Sequence, residues 1–401
     1  MSNKNYLEIP LINYIPLNSY VSLTSRFRKK LFRILVKKFT IANLAKLVGA
    51  HRSSIYDWKK GRVRVPLSKI MRCIELAGIT KDRLFNSITS LTALYNAGAI
   101  RIKGWKLLLN EELVEWLGLL KGDGYVSRKY VGCTNSSLPV SLFFMRILEK
   151  VFGIPKANIE ITIEIPPNQR NKDITPLVKL LNTKGYKRII KRKRNKGKKV
   201  LLSSRVNSKV LAQLLRNILK DLHQFINSSP LDVKIAYVRG FGAAEGSPYE
   251  VGSVRAISFS NKDLDELLFI KNILHEIGII RIDNPEQDNK GIYKLKITTQ
   301  PQLRLFHEIV GFGRNKRRNK KLASILKGYK KILKRVEYRS KYERYSQILN
   351  IIKRNKVATA KEIALEINIS YTWTSKLLNQ MLRKKIIKRS RKYPYLYSLI
   401  F

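Results

Sequence analysis

Apolar positions recur along this chain with two different periods, and they repeat. From Ser25 to Lys38 they stand at 27, 31, 32, 34, 35 and 36, which approximates one face of a helix. The stretch from Ile41 to Gly61 reads as helix, tight turn at Gly49, helix, with Leu44, Leu47, Val48, Ile55 and Trp58 turned inward and 65–77 as the next, supporting helix. At the far end, Glu343 to Asn355 predicts an amphipathic helix and Thr359 to Ile367 a short second one. A third, capped by Ser370, runs to about Lys384, and 386–400 reads as two strands around a basic turn. Between these ends the pattern occurs twice, beginning at Leu113 and again at Lys234. Each copy opens with an apolar helix carrying small residues four apart, Gly118 and Gly122 in the first, Gly240 and Ala244 in the second. Each helix closes on a carboxylate and a glycine: Asp123-Gly124 and Glu245-Gly246. A strand follows in both (Tyr130 to Thr134; Val254 to Phe259), then a helix ending in a Gly-Ile pair (Gly153-Ile154; Gly278-Ile279), then a further strand and helix.

Charge changes the picture most. The 401 residues include 80 Lys+Arg against 28 Asp+Glu, a formal net charge of +52, while 44% hydrophobic content suffices for two or three packed domains. A surface so positive calls for a polyanionic partner, and a sequence pI near 10.4 makes nucleic acid the leading one. No run approaches 18 apolar residues, and the first ten residues lack the layout of a secretory signal, so no membrane partner and a cytoplasmic location are expected. Cys73 and Cys133 cannot complete a four-ligand zinc site, and His51, His223, His275 and His307 lack ligand spacing. No phosphate-binding G-x-x-x-x-G-K-[ST] occurs. Any chemistry must come from carboxylates, lysines and a bound metal.

The two acid-ended helices supply a place for that metal. Small residues at i and i+4 let helix backbones approach closely, and terminal glycines are expected to end both helices in a left-handed residue. If the copies pack helix to helix, Asp123 and Glu245 stand side by side at two helix C-termini, where the macrodipole disfavours negative charge. A hard divalent cation with oxygen ligands, Mg²⁺ first, is the natural occupant.

Trp116-Leu-Gly-Leu-Leu-Lys-Gly-Asp-Gly and Val238-Arg-Gly-Phe-Gly-Ala-Ala-Glu-Gly resemble the two signature helices of the LAGLIDADG homing endonucleases in their single-chain form. The resemblance covers about residues 110–330. It implies an α+β fold in which each half is an αββαββα unit, its four-stranded antiparallel sheet forming half of a DNA-gripping saddle. It also implies that Asp123 and Glu245 hold the metals that cut the two strands, joined by the backbone carbonyls of Gly122 and Ala244. Lysines from the sheet stand near the metals in that family, which maps onto Lys294 and Lys296 in the second half and Lys199 in the first. Two departures stand out: Gly242 and Ala243 replace a frequent aromatic and acid, and Lys121 occupies a position where an acid is common.

The flanks read as all-α helical modules around this saddle. The N-terminal one resembles a phage-repressor helix-turn-helix, presenting Arg52, Ser53, Ser54, Tyr56, Lys59 and Lys60 to DNA; the same spacing serves any small helical bundle. The C-terminal one resembles a winged helix, with Tyr371, Thr372, Ser375 and Lys376 on its third helix and Arg389, Arg391 and Lys392 in the wing; dimerisation or protein docking is the alternative use. Two basic runs support the saddle. Nine of the thirteen residues 187–199 are basic and read as a hairpin turning near 195–197, offering Arg188, Lys191, Arg192, Lys193, Arg194, Lys196, Lys198 and Lys199 to a groove. A second run, 314–321, with Arg314 and Arg317, is expected to precede a helix and is otherwise an ordinary solvated charge run.

The expected organisation is an N-terminal segment (1–23), helix-turn-helix (24–90), linker (91–109), first repeat (110–225), second repeat (226–335) and winged helix (336–401). It describes a monomeric, metal-dependent, sequence-specific endonuclease acting on double-stranded DNA. The alternatives are a non-cleaving transcriptional regulator and a splicing cofactor binding structured intron RNA. No His-Asn pair occurs, so self-splicing is not expected.

Overall fold

The computed structural model describes residues 6–93, 98–169, 171, 173–251, 254–279, 282–328, 341–367, 369, 371–390 and 395–400. The chain divides into two compact units, Met1–Tyr329 and Lys330–Phe401.

The first unit opens with β1 (Glu8–Pro10), β2 (Tyr20–Leu23), α1 (Ser25–Lys38), α2 (Ile41–Val48), α3 (Arg52–Lys60), β3 (Val65–Pro66), α4 (Leu67–Ala77), α5 (Lys81–Phe85), β4 (Ile88–Thr92) and β5 (Lys106–Leu108). Thr40 caps α2 through its side chain, and Gly49 ends it with φ +63°, the left-handed turn the spacing predicts. Leu44, Val48, Ile55 and Trp58 are buried as expected, but Leu47 is 43% exposed. The segment is not all-α, because β2 is the centre of a small antiparallel sheet ordered β3-β2-β4. Nor are the described residues of 1–23 and 91–109 a free segment and a linker. β1 pairs with β5, Leu91 bridges Ile100, and Ile100, Ile102, Trp105, Leu107 and Leu109 are buried. The Trp105 indole N–H donates to the Ile88 carbonyl at 3.1 Å. Apolar runs this short carry no clear period, which is why their strands are not legible from pattern alone.

The first repeat comprises α6 (Glu111–Asp123), β6 (Gly124–Val126), β7 (Tyr130–Asn135), α7 (Leu138–Lys150), β8 (Ile159–Ile165), α8 (Thr175–Thr183), β9 (Arg188–Lys193), β10 (Leu201–Asn207), α9 (Lys209–Lys220) and the short α10 (Leu222–Asn227). The second comprises α11 (Leu231–Glu245), β11 (Gly246–Val251), β12 (Val254–Asn261), α12 (Leu264–Glu276), β13 (Glu286–Gln287), β14 (Tyr293–Ile297), α13 (Gln300–Leu305) and α14 (Lys316–Lys327). The sheets are ordered β6-β7-β10-β8-β9 and β11-β12-β14-β13. With α8 and β9 set aside as an insertion, the two orders are the same: both halves are αββαββα and related by pseudo-symmetry.

The insertion corrects the expected hairpin. β9 runs parallel to β8, while β10 lies antiparallel on the other side of β8. The basic strand is therefore a sheet edge and not half of a two-stranded ribbon. Alternation leaves one face of each sheet apolar and buried (Ile159, Ile161, Ile163; Leu295, Ile297) and the other open and polar.

Helices α6 and α11 pack against each other through the small residues the sequence singles out. A Cβ at Gly118 would overlap the Tyr237 carbonyl, one at Gly240 the Glu115 carbonyl, and one at Gly122 the Ala244 methyl. Backbone thus lies on backbone at Gly118 and Gly240, and on a methyl group at Gly122. The helix ends differ from expectation: Gly124 (φ −85°) and Gly246 (φ −72°) are extended, not left-handed. Glycine is required there by crowding, since a Cβ would meet Leu120 at Gly124 and Phe312 at Gly246. The left-handed glycines are those of the Gly-Ile pairs, Gly153 (φ +62°) and Gly278 (φ +91°).

The second unit comprises α15 (Lys341–Asn355), β15 (Ala358–Thr359), α16 (Ala360–Glu366), α17 (Tyr371–Arg383), β16 (Ile387–Arg389) and β17 (Leu396–Leu399), with sheet order β15-β17-β16. The three helices and two later strands fall where the pattern predicts them, and β15 is an additional strand, so this unit too is not all-α. Thr359 and Glu362 form a reciprocal capping box at the start of α16. Ile348, Ile352, Ile363, Leu378 and Met381 form its separate core.

Candidate active site

Asp123 is the last residue of α6 and Glu245 the last of α11, so the close helix packing sets the two carboxylates beside each other at two C-termini. Burial raises the Asp123 carboxyl above the usual range, opposed by a hydrogen bond from Asn135 Nδ2 to Asp123 Oδ2 and by Arg318. Glu245 is pushed up to about 7, by burial first and by the Asp123 charge second, against the pull of Arg318.

Arg318 is the residue the sequence reading missed. Its Nη1 donates to the last-turn carbonyls of Gly242 (2.8 Å) and Ala243 (2.6 Å), so it caps the second signature helix. Asn315 Nδ2 also donates to the Ala243 carbonyl at 3.0 Å, and its Oδ1 caps α14 by accepting the Arg318 N–H. The basic run therefore does not precede a helix; from Lys316 onward it is the helix. A legible signal existed in Leu322, Ile325 and Leu326, spaced three and four apart, with Asn315 as the cap about two turns upstream.

Beside the acids lies a cavity of about 370 Å³ whose wall includes Asp123, Asn135, Lys199, Arg317, Arg318 and Lys321. Lys199 is one of the lining residues, and burial followed by Arg317, Arg318 and Lys321 lowers its pKa. Ala244 also lines the cavity, opposite Gly122 at the helix contact. Lys294 and Lys296 do not line it. Lys294 pairs with Asp288 at 2.9 Å and Lys296 with Glu286 at 3.0 Å, across the β13–β14 connection. Their strand register explains this: Asn135 pairs with Leu202 and Asn261 with Tyr293, so counting back along each strand makes Lys290, not Lys294 or Lys296, the counterpart of Lys199.

Among the described residues no three His, Cys, Asp or Glu side chains gather as a metal cluster. The donors at hand are two hard carboxylates and backbone carbonyls, which suit Mg²⁺ with retained waters. That donor set fits a divalent cation, which would oppose the effect of burial and of the Asp123 charge that hold the Glu245 carboxyl up to about 7.

Lys121, the departure in the first motif, has a structural role. Its Nζ lies 2.9 Å from Glu266 Oε2, a carboxylate with no exposed surface that also accepts the Tyr237 hydroxyl at 2.7 Å and pairs with His223 at 3.1 Å. The pair ties the first repeat to α12 of the second.

Of the other predicted contact residues, Arg52, Ser53, Tyr56, Lys59 and Lys60 are exposed on α3, and Ser54 is half-buried. Lys191, Arg192, Lys193, Lys196 and Lys198 are exposed, whereas Arg188 pairs with Glu160 (3.2 Å) and Arg194 with Glu164 (3.4 Å). Arg317 is exposed, but Arg314 lies over the Phe143 ring, 4.3 Å from its centroid, and beside the buried Glu115, so it is held by protein. On α17, Tyr371 and Lys376 are exposed and Ser375 is half-buried; Thr372 lies in the same helix. Arg389 stacks on Tyr395 at 4.4 Å. Ser370, Arg391 and Lys392 lie outside the described residues.

Among the described residues no helix is long and apolar enough to cross a membrane. Comparison with known proteins finds the homing endonuclease I-ApeI of Aeropyrum pernix, 29% identical over 103 residues, 26% of this chain and 46% of that protein. It also finds the replication factor C small subunit of Methanocaldococcus jannaschii, 25% identical over 277 residues, 69% of this chain but 13% of that protein. The chain thus spans less than half the length of either relative. Solved structures with similarity include I-DmoI in complex with DNA and Mn, 20% identical, covering 50% of this chain and 97% of that one at a TM-score of 0.29. Full-length DUF199/WhiA from Thermatoga maritima, 14% identical, covers 68% and 90% at a TM-score of 0.33. The family profile that matches is the LAGLIDADG-like domain, over residues 232–311, from the start of α11 to the turn before α14.

Proposed function

We propose that this protein is a site-specific DNA endonuclease that hydrolyses phosphodiester bonds with a divalent cation. The observation that carries this reading is the pair of carboxylates, Asp123 and Glu245, held together by two glycine-faced helices beside a cation-lined cavity. Asn135 orients Asp123; Lys199, Arg317 and Lys321 draw a phosphate toward it; Arg318 and Asn315 fix the end of α11 that carries Glu245. Mg²⁺, held by Asp123 and Glu245 with the carbonyls of Gly122 and Ala244, would supply positive charge to the attacking water and to the phosphate oxygens. The outer side chains of α3 and α17 are the candidate sequence readers, as a helix-turn-helix and a winged helix.

One observation favours a second reading, a regulator that binds duplex without cutting. Arg318 already places a fixed positive charge beside both acids. The two readings part in one experiment. A duplex selected from a random pool by binding is incubated with protein in Mg²⁺ or in chelator, beside Asp123→Asn and Glu245→Gln. Cutting in Mg²⁺ alone, reduced on the order of 10²-fold or more in either variant, is the expected result. Tight binding with no cutting under any divalent cation establishes the regulator instead.

A further inference from the structure

We infer that the protein seats one backbone phosphate of its bound duplex in a three-arginine pocket at the end of α3, and that this contact sets the register of α3 on DNA. The inference rests on the duplex-binding part of the reading above and is independent of cutting.

Arg28 leads there. It stands on the inward stripe of α1, one turn before Phe32 and three residues before Leu31, both fully buried. Its Nε is closed to solvent without a hydrogen-bond partner, and no carboxylate pairs with its guanidinium among the described residues. Buried polar groups are normally satisfied, and a charge taken out of water is costly unless it is paired. A lysine could shed its proton to relieve that cost, but a guanidinium keeps its charge at any working pH. The anion that answers this charge therefore comes from outside the described chain.

The fold makes room for both. A Cβ at Gly61 would overlap the Arg28 guanidinium, so the arginine lies against the bare backbone of the residue that ends α3. Gly61 is also left-handed, φ +72°, so this position requires glycine on two separate grounds. Beside it opens a cavity of about 250 Å³ walled by Arg28, Arg62 and Arg64 and by Val21–Leu23 of β2. Arg62 and Arg64 are exposed. Among the described ion pairs only Arg62 of the three is engaged, by Asp57 at 3.8 Å, and Asp57 does not line the cavity. The α3 carbonyls that would repel an anion, those of Asp57 and Trp58, already accept the N–H groups of Arg62 (3.0 Å) and Gly61 (3.1 Å).

Forked N–H donors of this kind match phosphate oxygens. The pocket follows directly on Lys59 and Lys60, so a phosphate held in it decides where along the groove the outer side chains of α3 fall. Phosphate contacts position a protein on duplex, whereas base contacts specify the sequence.

The test uses the full chain and three variants. Arg28→Met keeps a packed stem and removes the charge; Gly61→Ala keeps every charge but fills the cradle; Lys29→Met removes an exposed charge one residue away. On the duplex selected by binding, Arg28→Met should weaken affinity at least about tenfold and make the slope of log affinity against log salt shallower by about 0.9. Gly61→Ala should weaken binding in the same direction, and Lys29→Met should stay within a few-fold of wild type. Phosphate-ethylation interference should mark a phosphate in wild type that falls silent in Arg28→Met. Without DNA, Arg28→Met should raise the urea midpoint, because an unanswered charge is gone; an arginine that only braces the fold would lower it. Inorganic phosphate, compared with chloride at equal ionic strength, should raise the midpoint of wild type and not of Arg28→Met. Equal affinity losses for Arg28→Met and Lys29→Met, or a lower midpoint for Arg28→Met without DNA, overturn the inference. Protection by inorganic phosphate with an unchanged salt slope overturns the DNA assignment and makes the pocket one for a free phosphate. Failure to bind any duplex removes the proposed function and this inference together, whereas every other outcome leaves the cutting assay to decide the endonuclease on its own.

Discussion

Gly240 and Gly242 stand two residues apart in α11 and carry different constraints. A Cβ at Gly240 would fall on the Glu115 carbonyl and crowd its backbone, and backbone atoms cannot swing aside as a flexible side chain would. At Gly242 the nearest atoms to a Cβ are Phe259 at 3.4 Å and Phe312 at 3.5 Å, ordinary contact distances, and the position is helical. Gly240→Ala should therefore destabilise by about 2–3 kcal/mol through overpacking. Gly242→Ala should be neutral or stabilise by up to about 1 kcal/mol, since alanine is the better helix former. Urea unfolding of both variants decides this, and equal losses at the two positions would show that the helices are not in backbone contact. Gly242 departs from the aromatic frequent in the family at that position, and the structure shows room there for a methyl group but crowding by Phe259 and Phe312 against anything much larger.

At the scale of elements, the meeting of two helix ends makes stability depend on pH. Glu245 in the folded chain releases its proton near pH 7, against an ordinary value of 4.5. Between these values the native state holds a proton that the unfolded state has lost, so stability falls as pH rises from about 4.5 through about 7 and then levels. Asp123, also raised, adds a slope of the same sign beginning lower. Glu245→Gln should flatten the decline, and millimolar Mg²⁺ should restore stability above pH 7 if the acids bind it. The urea midpoint measured from pH 4 to 8 checks the sign; an unchanged slope in the variant would sink the coupling. The contact between Lys121 and Glu266 joins α6 to α12, and Lys121→Met leaves a fully buried carboxylate short of one donor. A loss of about 3 kcal/mol is expected, and it should be less than additive with Glu266→Gln in a double-mutant cycle. The helix pair was legible because small-residue spacing and an acid followed by glycine are local signals. The basic strand β9 was misread as half of a hairpin because alternation does not say which strand is the neighbour. The partners Lys121 finds across the repeats and Arg318 finds at the end of α11 depend on packing between distant segments, so no local pattern announces them.

For the whole molecule, a net charge of +52 does not mean that every cation contributes equally to DNA binding. A cation already neutralised by a neighbouring carboxylate displaces fewer counterions from DNA, because closing on a phosphate leaves an acid behind. Arg188 and Arg205 share Glu160, and Arg194 faces Glu164, so this part of the first sheet offers less free charge than its composition suggests. Lys191, Arg192 and Lys193 are exposed on the same edge strand, and Arg317 and Lys321 are exposed at the cavity. The slope of log affinity against log salt is about −0.9 for each phosphate neutralised on B-form DNA. Replacing Lys191 or Arg317 by Met should therefore make the slope shallower by about one contact each if the side chain meets a phosphate. Replacing Arg188 by Met should change it less, since Arg188 can close on a phosphate only by leaving Glu160, which Arg205 would then hold alone. Fluorescence anisotropy with the selected duplex across a salt series measures all three slopes. Equal changes for Lys191 and Arg188 would mean that the carboxylates of the open sheet face do not screen their partners, and that the charge acts as an undivided field.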